Sequence, residues 1–385
     1  MQPLEVGFSR DLNRVDAHQW DMLAGPQACL SHAYLAAMEK SGCIGGATGW
    51  QAQHLLLRDG DALAAAVPLY LKRHSYGEYV FDWAWADAYA RNGLDYYPKL
   101  LAAIPFTPIP GARLMARDAV ARNALIDVLL EHAEASGHSS LHMLFPHEGD
   151  GEALRERGLL VRQGVQFHWF NSGYAEFGDF LARLTNDKRK KIRQERRRVD
   201  ALGLTYRWLD GAQASAADWA FFYRCYATTY ALHRSTPYLN PSFFQLLAKR
   251  APSSVRLLIA DRGAQPVASA FFLCDETALY GRYWGAVEHV PFLHFELCYY
   301  RAIAYCIATG RQRFEGGAQG EHKLARGLEP VVTRSVHWIR DPRFRNAVDQ
   351  YLARESEGMN LYLDELNERT PFHPQAWESG TPVAR

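Results

Sequence analysis

Residues 315–326, Glu-Gly-Gly-Ala-Gln-Gly-Glu-His-Lys-Leu-Ala-Arg, form the stretch with the densest set of reactive side chains. The glycines let a backbone approach a ligand closely. The polar side chains offer an acceptor, a base and cations, which can take a proton from an ammonium and stabilise an acyl-transfer oxyanion. The alternative is a tight strand-to-helix turn with a solvated helix start. We predict Glu321 and His322 as catalytic residues, and Gln319, Lys323 and Arg326 as substrate-binding residues.

Four further polar residues precede this segment. Arg282 and Tyr283 lie on a predicted strand, and His294 and Glu296 begin a predicted helix. We predict Tyr283 and Glu296 as catalytic and Arg282 and His294 as substrate-binding residues. For Glu296 the alternative is a structural role, because a carboxylate at a helix start is an ordinary partner of the helix dipole.

A second polar set lies among aromatic residues in the first half of the chain. Alternation along a strand would place Glu78 and Asp82 on one face and the intervening aromatic residues on the other, facing a core. The two carboxylates would then be able to hold an ammonium or a hydroxyl-rich substrate. The substrate-binding residues predicted here are Tyr76, Glu78, Asp82, Asp87 and Lys99. We also predict His233 and Arg234, for which structural salt bridges are the alternative.

Residues 188–198 contain eight Lys or Arg residues and one acid, Glu195. The absence of Gly and Pro predicts a helix, whose apolar anchors are Ile192 and Val199. Eight like charges repel each other unless something neutralises them, which favours a site for phosphates or RNA. The alternative is a solvated helix with salt bridges to acidic loops. The predicted polyanion-binding residues are Lys188, Lys190, Lys191, Arg193 and Arg197.

The elements that must position these residues occur twice along the chain. A shift of 202 residues aligns 54–71 with 256–273, and each copy predicts a hairpin of two apolar runs joined by an Asp/Gly turn. We predict a third strand in each copy, over 79–85 and 279–286. The second copy continues with a helix over 294–309, a short strand over 312–315, helical turns over 321–327, a strand over 331–340 and a helix over 344–366.

The composition excludes a single small module, because 385 residues with 48% hydrophobic content can bury more than one core. The net charge of +1 argues against a chain whose whole surface binds polyanions. Six scattered cysteines and His138, His142 and His147 lack metal-ligand spacing, so no metal is predicted. The N-terminal residues lack a secretory apolar run, which predicts a cytoplasmic protein with no integral membrane segment.

The predicted order of elements resembles the GNAT acyltransferase domain, and its tandem occurrence resembles the FemAB-like branch of that superfamily. The resemblance is specifically to bacterial FemAB-like proteins often labelled peptidoglycan biosynthesis or recognition proteins. It implies an α/β fold of two tandem GNAT-like domains, each a mixed, mostly antiparallel sheet flanked by helices. The expected divisions are domains over 1–165 and 201–343, a basic helical connector over 166–200, and a C-terminal helix and tail over 344–385. The strings that carry the resemblance are 74–82, 85–89, 96–100, 105–108, 280–285, 293–300 and 317–323.

The resemblance implies an N-acyltransferase that moves an aminoacyl group from aminoacyl-tRNA to an amine of a peptide or cell-wall-precursor-like acceptor. Acyl-CoA-dependent GNAT enzymes bind pyrophosphate on a glycine-containing loop after the third core strand. Residues 287–293 occupy that place here, with no Gly, one Pro and one carboxylate. An acyl-CoA donor is therefore the alternative, and a non-catalytic RNA- or precursor-binding protein is the alternative from another class.

Overall fold

The computed structural model describes residues 4–317 and 320–373, and the chain forms two compact units. Each unit is assembled from separate stretches of the sequence. The N-terminal unit comprises Met1–Gly164, Tyr238–Phe243 and Val332–Leu361, and the C-terminal unit comprises Val165–Pro237, Phe244–Val331 and Tyr362–Arg385.

Most strands of the described residues are short, and three of them have 10 or 11 residues. In chain order they are β1 (Glu5–Ser9), β2 (Trp50–Ala52), β3 (His54–Asp59), β4 (Ala62–Val67), β5 (Leu69–Lys72), β6 (Lys99–Ala102), β7 (Met115–Ala116), β8 (Ser140–Leu144), β9 (Leu160–Phe170), β10 (Thr205–Leu209), β11 (Val255–Arg262), β12 (Gln265–Cys274), β13 (Ala278–Ala286), β14 (Arg313–Glu315) and β15 (Glu329–Ile339).

The α-helices flank these strands. They are α1 (Ala17–Ala24), α2 (His32–Lys40), α3 (Trp83–Arg91), α4 (Ala119–Ala135), α5 (Glu148–Glu156), α6 (Phe177–Arg183), α7 (Asn186–Asp200), α8 (Ala216–Leu232), α9 (Pro241–Arg250), α10 (Leu293–Phe295), α11 (Arg301–Thr309) and α12 (Pro342–Glu368). A π-helical turn, Glu296–Tyr300, joins α10 to α11, and a 3-10 turn covers Glu321–Arg326. None of the helices described is both long enough and apolar enough to cross a bilayer.

Each unit contains both parallel and antiparallel strand pairs, although the four-stranded sheet of the N-terminal unit is entirely antiparallel. In the N-terminal unit the strand orders are β1-β3-β4-β7 and β2-β5-β6-β8-β15, and in the C-terminal unit the order is β10-β11-β12-β13-β14-β9. Each unit contains one parallel pair, β6 with β8 and β13 with β14, among antiparallel neighbours. Apolar residues of α4 cover one sheet face of the first unit, and those of α11 cover one face of the second. Each fully buried Leu or Phe stabilises such a core by about 1.5–3 kcal/mol.

The structure confirms both predicted hairpins, which are β3–β4 and β11–β12. It also confirms the third strand of the second copy and every later element predicted there, including the stop at Gly310, which has a φ of 71°. The predicted strand over 79–85 is wrong. Residues 73–82 form turns and loop, and α3 begins at Trp83, because Gly77 and Tyr79 adopt left-handed φ values of 80° and 63° that no strand accommodates.

Candidate active site

The site of the C-terminal unit lies where its two parallel strands separate. β13 and β14 are paired from Ala278 with Arg313 to Tyr280 with Glu315, after which β14 ends and β13 continues. A bulge between β13 and β12 at this point redirects Arg282. Packing is tight at Gly281 on this separation, because a Cβ there would lie 3.2 Å from the carbonyl oxygen of Glu315.

Glu315 is the most unusual group at this separation. It is only 3% exposed, and its Oε1 accepts a 2.9 Å hydrogen bond from Arg313 Nε. Its Oε2 has no hydrogen-bond partner among the described residues and lies 3.8 Å from His168 Nε2. Burial raises the pKa of Glu315 to about 7 and lowers that of His168 to about 3. A carboxylate of this kind is suited to accept a proton at neutral pH.

Lys323 supplies a buried cation beside the glycine turn that follows β14. Its Nζ donates a 2.8 Å hydrogen bond to the carbonyl oxygen of Gly317. Burial lowers the pKa of Lys323 to about 8, so the ammonium form still predominates at neutral pH. At Gly316 a Cβ would meet the Leu328 side chain at 2.7 Å, so a larger residue would require that side chain to move. Lys323 is therefore placed as a proton donor or as an oxyanion partner.

His322 and His294 lie in an aromatic environment. The Nε2 of His322 is 3.0 Å from the hydroxyl of Tyr299, and the His294 ring centroid is 4.8 Å from that of Trp284. Burial lowers the pKa of both histidines, that of His294 to about 4. Both imidazoles are therefore neutral at pH 7, as a hydrogen-bonding or proton-accepting role requires.

Other predicted residues of this unit are engaged elsewhere. Glu321 is exposed and accepts hydrogen bonds from Tyr362 and Arg369. Glu296 is fully buried, and both its oxygens are held by the guanidinium groups of Arg196 and Arg301, which favours a structural over a catalytic role. The ring of Tyr283 contacts that of Tyr226, and its hydroxyl accepts a hydrogen bond from Arg282. Arg326 forms an ion pair with Glu195. Gln319 lies outside the described residues.

In the N-terminal unit, the predicted carboxylates do hold an ammonium, but it belongs to Lys99. This fully buried lysine donates 2.8 Å hydrogen bonds to Glu78 Oε2 and Ser75 Oγ, and a short one to Asp82. Lys99 therefore engages one oxygen of each carboxylate, whereas Glu78 Oε1 and Asp82 Oδ1 have no hydrogen-bond partner among the described residues. Of the other predicted residues, Tyr76 is exposed on the loop and Asp87 is exposed on α3. His233 and Arg234 belong to the C-terminal unit and are exposed just after α8.

The cluster around Lys99 continues as a buried polar row. Tyr96 donates a 2.6 Å hydrogen bond to Asp82 and lies 2.9 Å from His142, whose Nδ1 is 2.6 Å from that of His337. Burial raises the pKa of Glu78 to about 7. Burial also acts to raise the pKa of Asp82, but the nearby Lys99 ammonium outweighs it and holds that pKa below its ordinary value.

The predicted basic helix is confirmed as α7. Ile192, Glu195 and Val199 are buried on its inner face. Its outer face carries five exposed cations for which the described part of the chain provides no ion pair, so the alternative of salt bridges to acidic loops does not hold for them. They are Lys190, Lys191, Arg193, Arg197 and Arg198; Lys188 is half-buried.

Sequence comparison identifies the family. The profile of the FemAB-like family, described as peptidoglycan biosynthesis/recognition, matches residues 11–374. The chain belongs to the FemAB-like family. No curated protein sequence matches it.

Solved structures share the fold of this FemAB-like protein. L-PGS from Bacillus licheniformis is 11% identical with a TM-score of 0.56, covering 90% of this chain and 99% of that one. FemX is 11% identical with a TM-score of 0.54, covering 89% and 99%. The C-terminal domain of a putative lysylphosphatidylglycerol synthetase from Agrobacterium fabrum is 10% identical with a TM-score of 0.55, covering 88% and 96%. The predicted α/β fold of two tandem GNAT-like domains is confirmed.

Sequence reasoning did not select Glu315 in this FemAB-like protein. A signal was present, since an acid ends a predicted strand directly before two glycines. What distinguishes Glu315 from Glu321, six residues later in the same segment, is burial beside His168 of β9. That neighbour lies far away in the sequence, so local pattern does not reveal it.

Proposed function

We propose that this FemAB-like protein is an N-acyltransferase that moves an aminoacyl group from aminoacyl-tRNA to an amine of a peptide or cell-wall-precursor-like acceptor. The observation that carries the proposal is the buried Glu315, with one oxygen unpartnered among the described residues, at the separation of β13 and β14. The family match supports the reaction class, and the free cations of α7 support an RNA-bound donor.

In the proposed reaction, Glu315 accepts a proton from the acceptor ammonium, and the freed amine attacks the ester carbonyl of the donor. The amide C–N bond forms and the ester C–O bond breaks. Of the two protons that the nitrogen loses, one passes to the departing ribose oxygen and one to solvent. Lys323, whose pKa burial lowers to about 8, is the group suited to protonate that oxygen or to neutralise the tetrahedral oxyanion.

The outer face of α7 is the proposed contact for the tRNA backbone. Lysine and arginine side chains that neutralise phosphates release counterions, so binding weakens steeply with salt. Charge reversal of Lys190, Lys191 and Arg193 should reduce both the affinity for tRNA and the salt slope. Reversal of Arg262, an exposed cation outside α7 that pairs with Glu288, is the matched control. An unchanged salt slope in the α7 variant would exclude this role.

The decisive experiment combines ligand identification with two matched substitutions. Mass spectrometry of ligands retained on the purified protein distinguishes a charged tRNA end from CoA or a precursor peptide. With the identified donor and acceptor, Glu315→Gln should strongly slow transfer, whereas Glu321→Gln, which alters an exposed carboxylate of the same segment, should not. Retained CoA would support the alternative donor, and full activity of Glu315→Gln would refute the proposed base.

A further inference from the structure

Two adjacent residues of α7 make ion pairs with other elements of the unit, one buried (Glu195) and one partly buried (Arg196). Glu195 is 4% exposed, and its oxygens lie 3.1 and 3.2 Å from Arg326 Nη2. Its Oε2 also accepts a hydrogen bond from the Tyr300 hydroxyl. Arg196 donates from Nε and Nη2 to the two oxygens of Glu296, at 3.1 and 3.2 Å. The helix that carries the free cations is therefore bound to two other elements of its unit.

Both elements hold candidate site residues. Arg326 ends the 3-10 turn that contains His322 and Lys323, and its Nη1 donates a 2.8 Å hydrogen bond to the His322 carbonyl oxygen. Glu296 begins the π-helical turn whose Tyr299 hydroxyl lies 3.0 Å from His322 Nε2. The two ion pairs thus lead from neighbouring residues of α7 to the same histidine.

Apolar side chains also anchor α7. Ile192 and Val199 already bury the inner face of the helix, and a buried ion pair contributes little net stability because both charges lose their hydration. A π-helical turn is also rare and is found mostly at functional sites. Because these ion pairs add little net stability, we assign them a positional role: they fix the 3-10 turn relative to α7.

We propose that Glu195 and Arg196 are positioning residues through which RNA bound to the outer face of α7 fixes the turn that carries His322 and Lys323. The inference rests on the proposed RNA site and adds a coupling between that site and the candidate active site. RNA bound across the outer cations holds α7 in one place, and the two ion pairs pass this restraint to the turn.

The test uses the full-length protein and bulk tRNA as the probe. Hydrogen exchange of residues 321–326 is measured without tRNA and at saturation, and affinity is measured separately by salt titration. In the unaltered protein, saturation should slow exchange in this turn about fivefold or more, which is the lower end of measured coupling between sites. Glu195→Asp keeps the charge but shortens the side chain by one methylene. It should retain tRNA affinity and lose the tRNA-dependent slowing.

Asp200→Asn, at the exposed end of α7, is the control and should behave like the unaltered protein. Arg196→Lys, which keeps the charge but replaces the two-donor contact, is the second variant should Glu195→Asp fold poorly. A merely structural role would speed exchange equally with and without tRNA, and that result would overturn the proposal. Equal slowing in Glu195→Asp and the unaltered protein, or no slowing at saturation, would also overturn it. Absence of tRNA binding would refute the RNA site itself, which the salt titration reports independently.

Discussion

The two parallel strand pairs begin alike and end differently. β6 and β8 are paired from Leu100 with Leu141 to Ala102 with Met143, much as β13 and β14 are paired at their start. Beyond β6, however, the chain fills the separation: Gly111 bridges Pro146, and the buried Arg113 guanidinium donates to three main-chain carbonyl oxygens. In the C-terminal unit the corresponding place holds the glycine turn and the unpartnered oxygen of Glu315.

This difference separates two uses of buried charge. Arg113 satisfies backbone groups and closes the N-terminal unit, whereas Glu315 keeps an oxygen that no described group satisfies. A buried polar atom without a partner is costly, so one at a strand separation is a candidate functional group. Glu78 and Asp82 also each keep such an oxygen, but they pair with Lys99 at the start of β6. The comparison supports placing the proposed chemistry in the C-terminal unit, because in the other unit the Arg113 guanidinium occupies the equivalent region.

The largest effect is expected when one buried carboxylate of each unit is substituted in turn. Glu78 and Glu315 are matched, since burial raises the pKa of each to about 7 and each has one oxygen without a described hydrogen-bond partner. Glu315→Gln should lower the transfer rate by about 10²–10⁴-fold, the usual contribution of a general base. Glu78→Gln should leave the rate per folded molecule unchanged. Equal losses in steady-state assays would contradict the division between the units.

Removal of Arg113 probes the closed region. Arg113→Met would leave carbonyl oxygens of Ile109, Ala112 and Leu144 without their donors, so we expect the free energy of unfolding to fall by about 3 kcal/mol. Urea denaturation followed by circular dichroism measures this. Activity of the remaining folded protein should be normal. An unchanged free energy of unfolding would show that the Arg113 guanidinium does not stabilise this region of the N-terminal unit.

The buried Glu315 carboxylate should lower the free energy of unfolding at alkaline pH. Its pKa in the folded protein lies above its ordinary value of 4.5, so the folded state binds the proton more tightly than the unfolded state. The stabilising effect of that proton is complete below pH 4.5 and is lost as the pH rises through 7. We therefore expect Glu315→Gln to be more stable than the parent at pH 8, by about 1–3 kcal/mol, and equally stable at pH 4. Identical melting temperatures at pH 8 would argue against a desolvated carboxylate.

The smallest predicted effect is the pH dependence of transfer. A base must be deprotonated, and burial raises the pKa of Glu315 to about 7. The rate at limiting acceptor should accordingly be about tenfold lower at pH 6 than at the plateau above pH 8. In Glu78→Gln the profile should be the same, because that carboxylate belongs to the other unit. A flat profile would exclude titration of Glu315 from the rate.

Local pattern predicted most of the C-terminal unit, because its hairpin, helices and stop at Gly310 depend on neighbouring residues. The N-terminal polar segment shows the limit. Glu78 and Asp82 were correctly grouped, but alternation was the wrong reason: the turns at Gly77 and Tyr79 bring them to Lys99, about 20 residues away. Glu315 was not selected because its raised pKa comes from long-range burial, which the sequence does not display.

The assembly of each unit from separate stretches has a consequence for biosynthesis. β8 pairs with Ser335–Ile339 of β15, so one side of this strand lacks its neighbour until residues 335–339 have left the ribosome. Exposed strand edges promote association with other chains. C-terminal truncations before Ile339 should therefore yield nascent protein that depends on chaperones and aggregates when overexpressed, even though the site itself is encoded upstream.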